Sequence, residues 1–187
     1  MKALVFYDSI GGNTMSVAKA IHETVASAWG HADLVKVCKE SSVNFLEYDL
    51  IMIGSPVIDW LPTKQLMDVV MRFMKSENAA GRIRPSSPII PGKFGVCFGT
   101  FGGPHIGERE ALPMTAWLRA FLEHLGYLSL DAWHVPGAFK NRDELSRYGR
   151  LGDIRQRPSE SDLSDIRNRV AGLLASLEAF RGMKRPR

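Results

Sequence analysis

The sequence predicts an α/β protein in which one parallel β-sheet is covered by helices on both faces. Two observations support this prediction: short, mostly unbroken apolar segments recur along the chain, and segments with the apolar spacing of an amphipathic helix lie between them. Unbroken apolar segments are typical of strands buried on both faces, and strand–helix alternation implies right-handed crossovers between parallel strands. The predicted strands cover residues 2–7, 33–37, 49–54, 93–99 and 127–135.

The predicted helices follow the first, third, fourth and fifth strands, where apolar residues recur three or four positions apart. Between the second and third strands, residues 39–47 predict only a short helix or a loop. Residues 78–92 and 137–158 are predicted to be irregular. The last helix begins at Pro158-Ser159, with acidic residues near its positive end. The apolar residues with helical spacing are Val17, Ile21 and Val25; Leu66, Val69, Val70 and Phe73; Ala111, Met114, Leu118, Phe121, Leu122 and Leu125; and Leu163, Ile166, Val170, Leu173, Leu174 and Leu177.

Length and composition predict one domain over residues 1–180, with an irregular basic insert at residues 137–158 and a basic tail at residues 181–187. The chain has 187 residues, and its hydrophobic fraction of 45% is ordinary for a folded domain. The net charge of +4 is unevenly placed, because residues 138–157 hold six Lys or Arg against three acidic residues and the tail adds four more basic residues. Neither segment contains a recognised nucleic-acid-binding motif, so we expect solvated surfaces and no nucleic-acid partner.

The apolar runs and the cysteines indicate where in the cell the protein is expected to be and whether it has disulfides or a metal site. No apolar run approaches the roughly 18 residues that span a bilayer, so we expect no membrane insertion. The first residues are too few for a secretory signal, and we expect a cytoplasmic protein. Cys38 and Cys97 lack the paired spacing of a metal site or a disulfide framework. We predict two buried free thiols and no metal.

The segment YDSIGGNT, residues 7–14, leads from the first strand into the first helix. A parallel strand delivers this segment to the carboxyl edge of the sheet, where the free N–H groups of the following helix point back toward it. The two glycines permit close approach of the backbone, and Ser9, Asn13 and Thr14 can donate hydrogen bonds to phosphate oxygens. The lysine of a P-loop and the G-x-G-x-x-G spacing are both missing. The sequence therefore predicts an anion site.

This loop resembles the first loop of the flavodoxin family, which has the form S/T-x-T-G-x-T and holds the phosphate of FMN. It is present here as Ser9-Ile10-Gly11-Gly12-Asn13-Thr14, with a glycine in place of the second hydroxyl residue. The resemblance implies a flavodoxin-like three-layer sandwich: a five-stranded parallel sheet in the order 2-1-3-4-5 with helices on both faces. It also implies that these six residues bind FMN.

Two further loops resemble the flavodoxin-family loops that hold the isoalloxazine ring. They are GSPVIDWLP, residues 54–62, and GTFGGPHIGE, residues 99–108. The implied strand order makes strands one, three and four neighbours, so all three loops would converge on one pocket. The residues that the resemblance assigns to the ring are Pro56, Val57, Ile58, Asp59, Trp60, Thr100, Phe101, Gly102 and Gly103.

Each ring-binding residue has an expected role. Ile58 or Trp60 would cover one face of the ring, and Thr100 with Phe101 would border the other side. Gly102 and Gly103 would let backbone amides approach the pyrimidine edge. We assign no catalytic residue and expect His105, the histidine in the third of these loops, to be a surface side chain.

Three functions remain open at this stage. The first, which we favour, is an FMN-dependent electron carrier that docks with a redox partner protein. The second is an NAD(P)H-dependent FMN oxidoreductase acting on a flavin or a quinone, in which the insert brings Arg142, Arg147, Arg150 or Arg155 to a dinucleotide phosphate. The third is a binding module that has lost its cofactor. Assembly into a homo-oligomer is also left open.

Overall fold

The computed structural model describes residues 1–182 and contains the predicted alternation of strands and helices. The residues 183–187 of the predicted basic tail lie outside this described part. The strands are β1 (Ala3–Tyr7), β2 (Asp33–Lys36), β3 (Leu50–Pro56), β4 (Phe94–Phe101) and β5 (Leu128–Pro136). The helices are α1 (Asn13–Trp29), α2 (Lys64–Ala79), α3 (Leu112–His124), α4 (Asp143–Tyr148) and α5 (Glu160–Gly182), with short 3-10 helices at Phe45–Glu47 and Gly107–Glu110.

All five strands form one parallel sheet in the order β2-β1-β3-β4-β5, which confirms the predicted order. Tyr7 at the end of β1 pairs with Gly54 in β3, and Pro56 at the end of β3 pairs with Thr100 near the end of β4. The carboxyl ends of these three strands therefore lie side by side at one edge of the sheet.

Apolar side chains on the two faces of the sheet form two separate cores. One core packs β1, β3 and β4 against α1 and α5, and the other packs the opposite faces of these strands against α2 and α3. The prediction of strands buried on both faces holds for β1, β3 and β4. The edge strands β2 and β5 are only partly buried, because each has a neighbour on one side alone.

The two cysteines are free, but they differ in exposure. Cys97 lies in the centre of β4, and burial raises the pKa of its thiol to about 12. The prediction that both thiols are buried is wrong for Cys38, which is exposed. β2 ends at Lys36, so Cys38 lies in the following turn, where its backbone N–H donates to Ser41 Oγ at 2.8 Å.

The regions predicted to be irregular contain some regular structure. Residues 39–47 end in the 3-10 helix Phe45–Glu47, and the basic insert contains the six-residue helix α4. Within residues 1–182, no helix is both long enough and apolar enough to cross a membrane.

Candidate functional site

Three loops meet at the carboxyl edge of the sheet. The first loop, residues 8–12, joins β1 to α1; the second loop, residues 57–63, joins β3 to α2; and the third loop, residues 102–111, joins β4 to α3. Backbone hydrogen bonds connect their bases, from Asp8 N–H to Gly54 O at 3.0 Å and from Val57 N–H to Thr100 O at 2.9 Å. The convergence expected from the sequence is therefore present.

The first loop ends in a turn that leaves helix donors facing outward. Gly12 has φ 102°, and α1 begins at the next residue. Ser9 Oγ accepts hydrogen bonds from the N–H groups of Gly12 and Met15, each at 3.2 Å. In the part of the chain that the structure describes, the N–H groups of Gly11, Asn13 and Thr14 have no acceptor. These donors lie at the positive end of α1, where an anion is favoured.

The side chains predicted to contact phosphate have partners inside the protein. The hydroxyls of Thr14 and Thr100 are 2.7 Å apart and buried, which joins the start of α1 to β4. Asn13 Nδ2 donates to Ala138 O at 2.8 Å. Ser9, as described, caps α1. The backbone of the first loop is thus more available to an anion than its side chains are.

The second loop is a tight turn that exposes apolar side chains. Ile58 and Leu61 exchange two backbone hydrogen bonds of 2.9 Å, and the two residues between them, Asp59 and Trp60, have φ of 47° and 67°. Two successive positive φ values define a type I′ turn, which ordinarily uses Asn or Gly, so this turn is strained. The turn leaves the side chain of Trp60 58% exposed.

Exposed apolar side chains are present on each of the three loops. Besides Trp60, the second loop exposes Ile58 and Leu61, the first loop exposes Ile10, and the third loop exposes Ile106. Large exposed apolar groups on neighbouring loops are typical of a ligand or partner surface. Ile58 and Trp60 therefore lie where a ring could reach them, whereas Pro56 and Val57 are half-buried at the end of β3.

The third loop is packed more tightly than its glycines suggested. Phe101 is buried and lies edge-on to the His134 ring, with 6.5 Å between centroids. A Cβ atom on Gly102 would lie 2.1 Å from the ring of Phe139, and one on Gly103 would lie 2.9 Å from Gly107 O. The two glycines are thus required by contacts within the protein, in addition to any approach of a ligand.

The insert folds back over the first and third loops. Its helix α4 and Ile154 form a small interior, in which Phe139 N–H donates to the buried Ser146 Oγ at 2.9 Å. Arg150 N–H donates to Pro104 O at 2.9 Å, which attaches the insert to the third loop. The insert is therefore an ordered border of the site.

Two of the six basic side chains in the insert are neutralised within the protein. Arg155 binds Asp153 at 2.6 Å and holds the pKa of that carboxyl at about 2, and Arg157 pairs with Asp162. No acidic partner lies within ion-pair distance of the other four in the described residues. These four are Lys140, Arg142, Arg147 and Arg150.

A cluster around the buried side chain of His134 was missed in the sequence. His134 in β5 bonds Thr115 Oγ1 through Nε2 at 2.9 Å and Glu108 Oε1 through Nδ1 at 2.8 Å. This cluster attaches the third loop to α3 and β5. His105 was considered instead because it lies within a loop; its side chain is exposed, as expected.

A buried carboxylate connects the first and second loops. Asp8 accepts hydrogen bonds from Ser9 N–H at 2.7 Å and from Thr63 Oγ1 at 2.5 Å. Burial raises the pKa of the neighbouring Tyr7, and the charge of Asp8 adds to this rise. Among residues 1–182, no group of three His, Cys, Asp or Glu side chains is placed to hold a metal ion.

Sequence comparison identifies no relative, but comparison of structures finds solved proteins with the same fold. No protein-family model and no curated protein matches the sequence. Flavodoxin 2 from Bacillus cereus superposes with a TM-score of 0.65 at 18% identity, covering 94% of this chain and 99% of its own. A WrbA-like flavodoxin from Agrobacterium tumefaciens superposes with a TM-score of 0.62 at 16% identity, covering 95% of this chain and 98% of its own.

A third solved structure has the fold within a larger chain. A protein described as flavone reductase gives a TM-score of 0.61 at 10% identity, and the match covers 100% of this chain and 66% of that one. The fold and its loop cluster thus define an open α/β protein with a candidate site at the carboxyl edge of its sheet. This chain has the flavodoxin-like fold, as the resemblance of its loops implied.

Proposed function

We propose that this chain is an FMN-binding redox protein of the cytoplasm that exchanges electrons with a partner protein. The observation that carries the proposal is the position of the acceptor-free N–H groups at the start of α1 in the same loop cluster as the exposed Trp60. One candidate site thus contains hydrogen-bond donors that suit an anionic group and an aromatic side chain that suits a flat apolar ring. Fusobacterium nucleatum flavodoxin bound to flavin mononucleotide has the same fold, which supports this choice of ligand.

The residues present fit FMN in two respects. The N–H groups of Gly11, Asn13 and Thr14 suit a phosphate, because a helix start favours negative charge. Trp60 and Ile58 suit a ring, because flavin sites need apolar walls. The redox chemistry would be supplied by the FMN, and the work of these residues is to bind and orient it. The internal bonds of Ser9, Asn13 and Thr14 give the loop its shape before the ligand arrives.

Release and rebinding of flavin test the proposal. Denaturation of the purified protein is expected to release FMN, identified by chromatography, and the apoprotein is expected to quench the fluorescence of added FMN. Trp60→Ala should weaken FMN binding by about 1 to 2 kcal/mol, because an aromatic contact is lost. Met71→Ala is the matched control, since Met71 is also 58% exposed but lies on α2. Equal affinities in the two variants would remove Trp60 from the site.

A reductase is the second candidate, and the basic insert favours it. Arg142, Arg147 and Arg150 are exposed and have no acidic partner in the described part, and Arg150 N–H donates to Pro104 O in the third loop. Such side chains suit the phosphates of NAD(P)H. Arg155 is a weaker candidate than expected from the sequence, because Asp153 already engages it.

Anaerobic mixing with NADPH and then NADH separates the two candidates. Rapid loss of the flavin's visible absorption would establish an NAD(P)H-dependent oxidoreductase, and an increased KM for NADPH in the Arg147→Gln, Arg150→Gln variant would place the dinucleotide at the insert. Absorption that persists until dithionite is added would favour the carrier. A protein that neither releases nor takes up flavin would leave the cofactor-free binding module.

A further inference from the structure

The first loop has no side chain at Gly11, and the insert places one beside this position. Gly11 is exposed at the tip of the loop. A Cβ atom built on Gly11 would have a single neighbour within 4 Å, the Cβ of Lys140 at 3.7 Å. The stem of Lys140 therefore begins where a side chain of the first loop would begin, although the two residues are far apart in sequence.

Short contacts on both sides hold the backbone before Lys140 in place. A Cβ atom on Gly137 would lie 2.6 Å from Asn13 Nδ2, and the same nitrogen donates to Ala138 O at 2.8 Å. On the other side, Phe139 packs against Gly102, and Gly137 N–H donates to Phe101 O at 2.9 Å. Residues 137–139 thus bridge the first and third loops, which fixes the direction in which the chain presents Lys140.

The charge of Lys140 is available for a ligand. Lys140 is exposed, and no carboxylate among residues 1–182 lies within ion-pair distance of its ammonium group. From Cβ, its flexible stem reaches roughly 5 Å, enough to bring the ammonium group over the loop. Lys140 is therefore a cation on a flexible stem that starts beside Gly11, in the loop that carries the N–H groups of Gly11, Asn13 and Thr14.

The local electrostatics call for such a cation. Asp8, in the same loop, is 6% exposed, and both of its carboxylate oxygens bond to uncharged donors, Ser9 N–H and Thr63 Oγ1. An incoming phosphate meets this negative charge as well as the favourable end of α1, and a nearby ammonium group offsets the repulsion. In the described residues, no basic side chain lies within ion-pair distance of the Asp8 carboxylate.

We propose that Lys140, delivered by the insert, is the cationic contact for the phosphate of FMN in the first loop. This inference rests on the proposed flavin function and extends it, because it assigns part of the phosphate site to a residue outside the three loops. Residues 137–140 thereby become part of the cofactor site. The insert acquires a role independent of NAD(P)H.

A comparison of FMN with riboflavin, which lacks the phosphate, tests this assignment. Apoprotein is titrated with each flavin by fluorescence quenching at low and high salt. Lys140→Met is expected to weaken FMN binding about tenfold at low salt and to leave riboflavin binding within about twofold, with a smaller FMN effect at high salt. Lys140→Arg, which keeps the positive charge, should retain most of the parent protein's affinity for FMN. Lys36→Met is the control, because Lys36 lines a cleft with Ser9 and Ile10 on the opposite side of the same loop.

A second test measures the chemical accessibility of Lys140 and does not depend on comparing binding affinities. Acetylation of lysines, read by mass spectrometry, is expected to slow at Lys140 when FMN is bound and to continue when riboflavin is bound. The assignment is overturned if Lys140→Met weakens both flavins equally or neither, or if Lys36→Met gives the larger loss. Failure of the parent protein to bind either flavin would overturn the proposed function itself, an outcome distinct from the others because it appears without any substitution.

Discussion

β4 and the insert at residues 137–158 both border the candidate site, but their interiors are built differently. In β4, Val96, Cys97 and Phe98 are fully buried, and the strand has ladder partners on both sides. In the insert, Ile154 is the one large apolar residue that is buried, with 2% exposure. Phe139 and Leu145 are half-buried, and many of the remaining contacts of the insert are hydrogen bonds and ion pairs.

This difference implies different modes of opening. Each fully buried large apolar side chain contributes about 1.5 to 3 kcal/mol, so β4 is stable as part of the whole sheet. A segment with few fully buried apolar side chains and many solvent-accessible polar contacts opens at lower free energy. We therefore expect the insert to open locally while the sheet remains folded. A site built from both regions has a rigid wall and a movable one.

The largest effect is expected for Phe98→Ala. Phe98 lies against Gly54, where a Cβ atom would be 2.2 Å from its ring, so the neighbouring strand is shaped around this side chain. Removing the ring should lower the free energy of unfolding by about 3 to 5 kcal/mol, measured by urea denaturation. A loss below about 1 kcal/mol would show that the sheet is not the stable half of this comparison.

Ile154→Ala is expected to reduce the stability of the whole protein less than Phe98→Ala does. Its main effect should be on local opening of the insert. The variant should lower the free energy of opening the insert by about 2 kcal/mol, which raises trypsin cleavage at its arginines roughly 30-fold. The urea midpoint should change less than in Phe98→Ala. Leu151→Ala is the control, because Leu151 is in the same insert but exposed. Cleavage that rises only together with global unfolding would mean that the insert and the sheet open as one unit.

The same contrast explains what the sequence could predict. β1, β3 and β4 were predictable because their unbroken apolar runs report burial directly. The loops at their ends followed, since parallel strands place their carboxyl ends at one edge. β2 and β5 were also predicted as strands. Their partial exposure could not be predicted from their own residues, because it follows from their positions at the two edges of the sheet. The turn after β2 likewise exposes Cys38, which composition alone predicts to be buried.

The packing of the insert could not be predicted in the same way. α4 has six residues, too few for apolar periodicity to identify it. The contacts of Phe139 with Gly102 and of Ala138 with Asn13 join residues distant in sequence, and each residue alone has a plausible local role. The cluster around His134 was missed for a related reason, since its partners come from α3 and the third loop. Only the fold brings them together.

A third prediction concerns the connection between the insert and α5. Burial raises the pKa of Asp162, but hydrogen bonds from Arg157 and Ser159 outweigh it and hold the pKa below its usual value. A carboxyl with a depressed folded pKa stabilises the protein above its unfolded pKa of about 3.9, and that contribution is lost as pH falls through the folded value. Asp162 and Ser159 also cap α5, with Ser159 N–H donating to Asp162 Oδ2 at 2.7 Å.

Asp162→Asn is therefore expected to lower the free energy of unfolding by about 1 to 2 kcal/mol at pH 7. The difference from the parent should shrink as the pH falls below about 4, because the parent carboxyl becomes protonated too. Asp165→Asn, at an exposed position of the same helix, should have little effect at either pH. Urea titrations from pH 7 to pH 3 measure the free energy of unfolding of both variants and of the parent. A difference between Asp162→Asn and the parent that grows toward low pH would contradict the assigned ion pair.

The smallest effect on stability is expected for Cys38→Ser, within about 0.5 kcal/mol, because the side chain is exposed. The substitution leaves Cys97 as the one thiol, and its burial and raised pKa keep it unreactive while β4 is folded. Labelling of Cys97 by a disulfide reagent then reports opening of the sheet, while trypsin cleavage reports opening of the insert in the same sample. We expect cleavage to be the faster process at every urea concentration below the midpoint. Equal rates would remove the distinction between a rigid wall and a movable one, since a single cooperative unit would then carry both sides of the site.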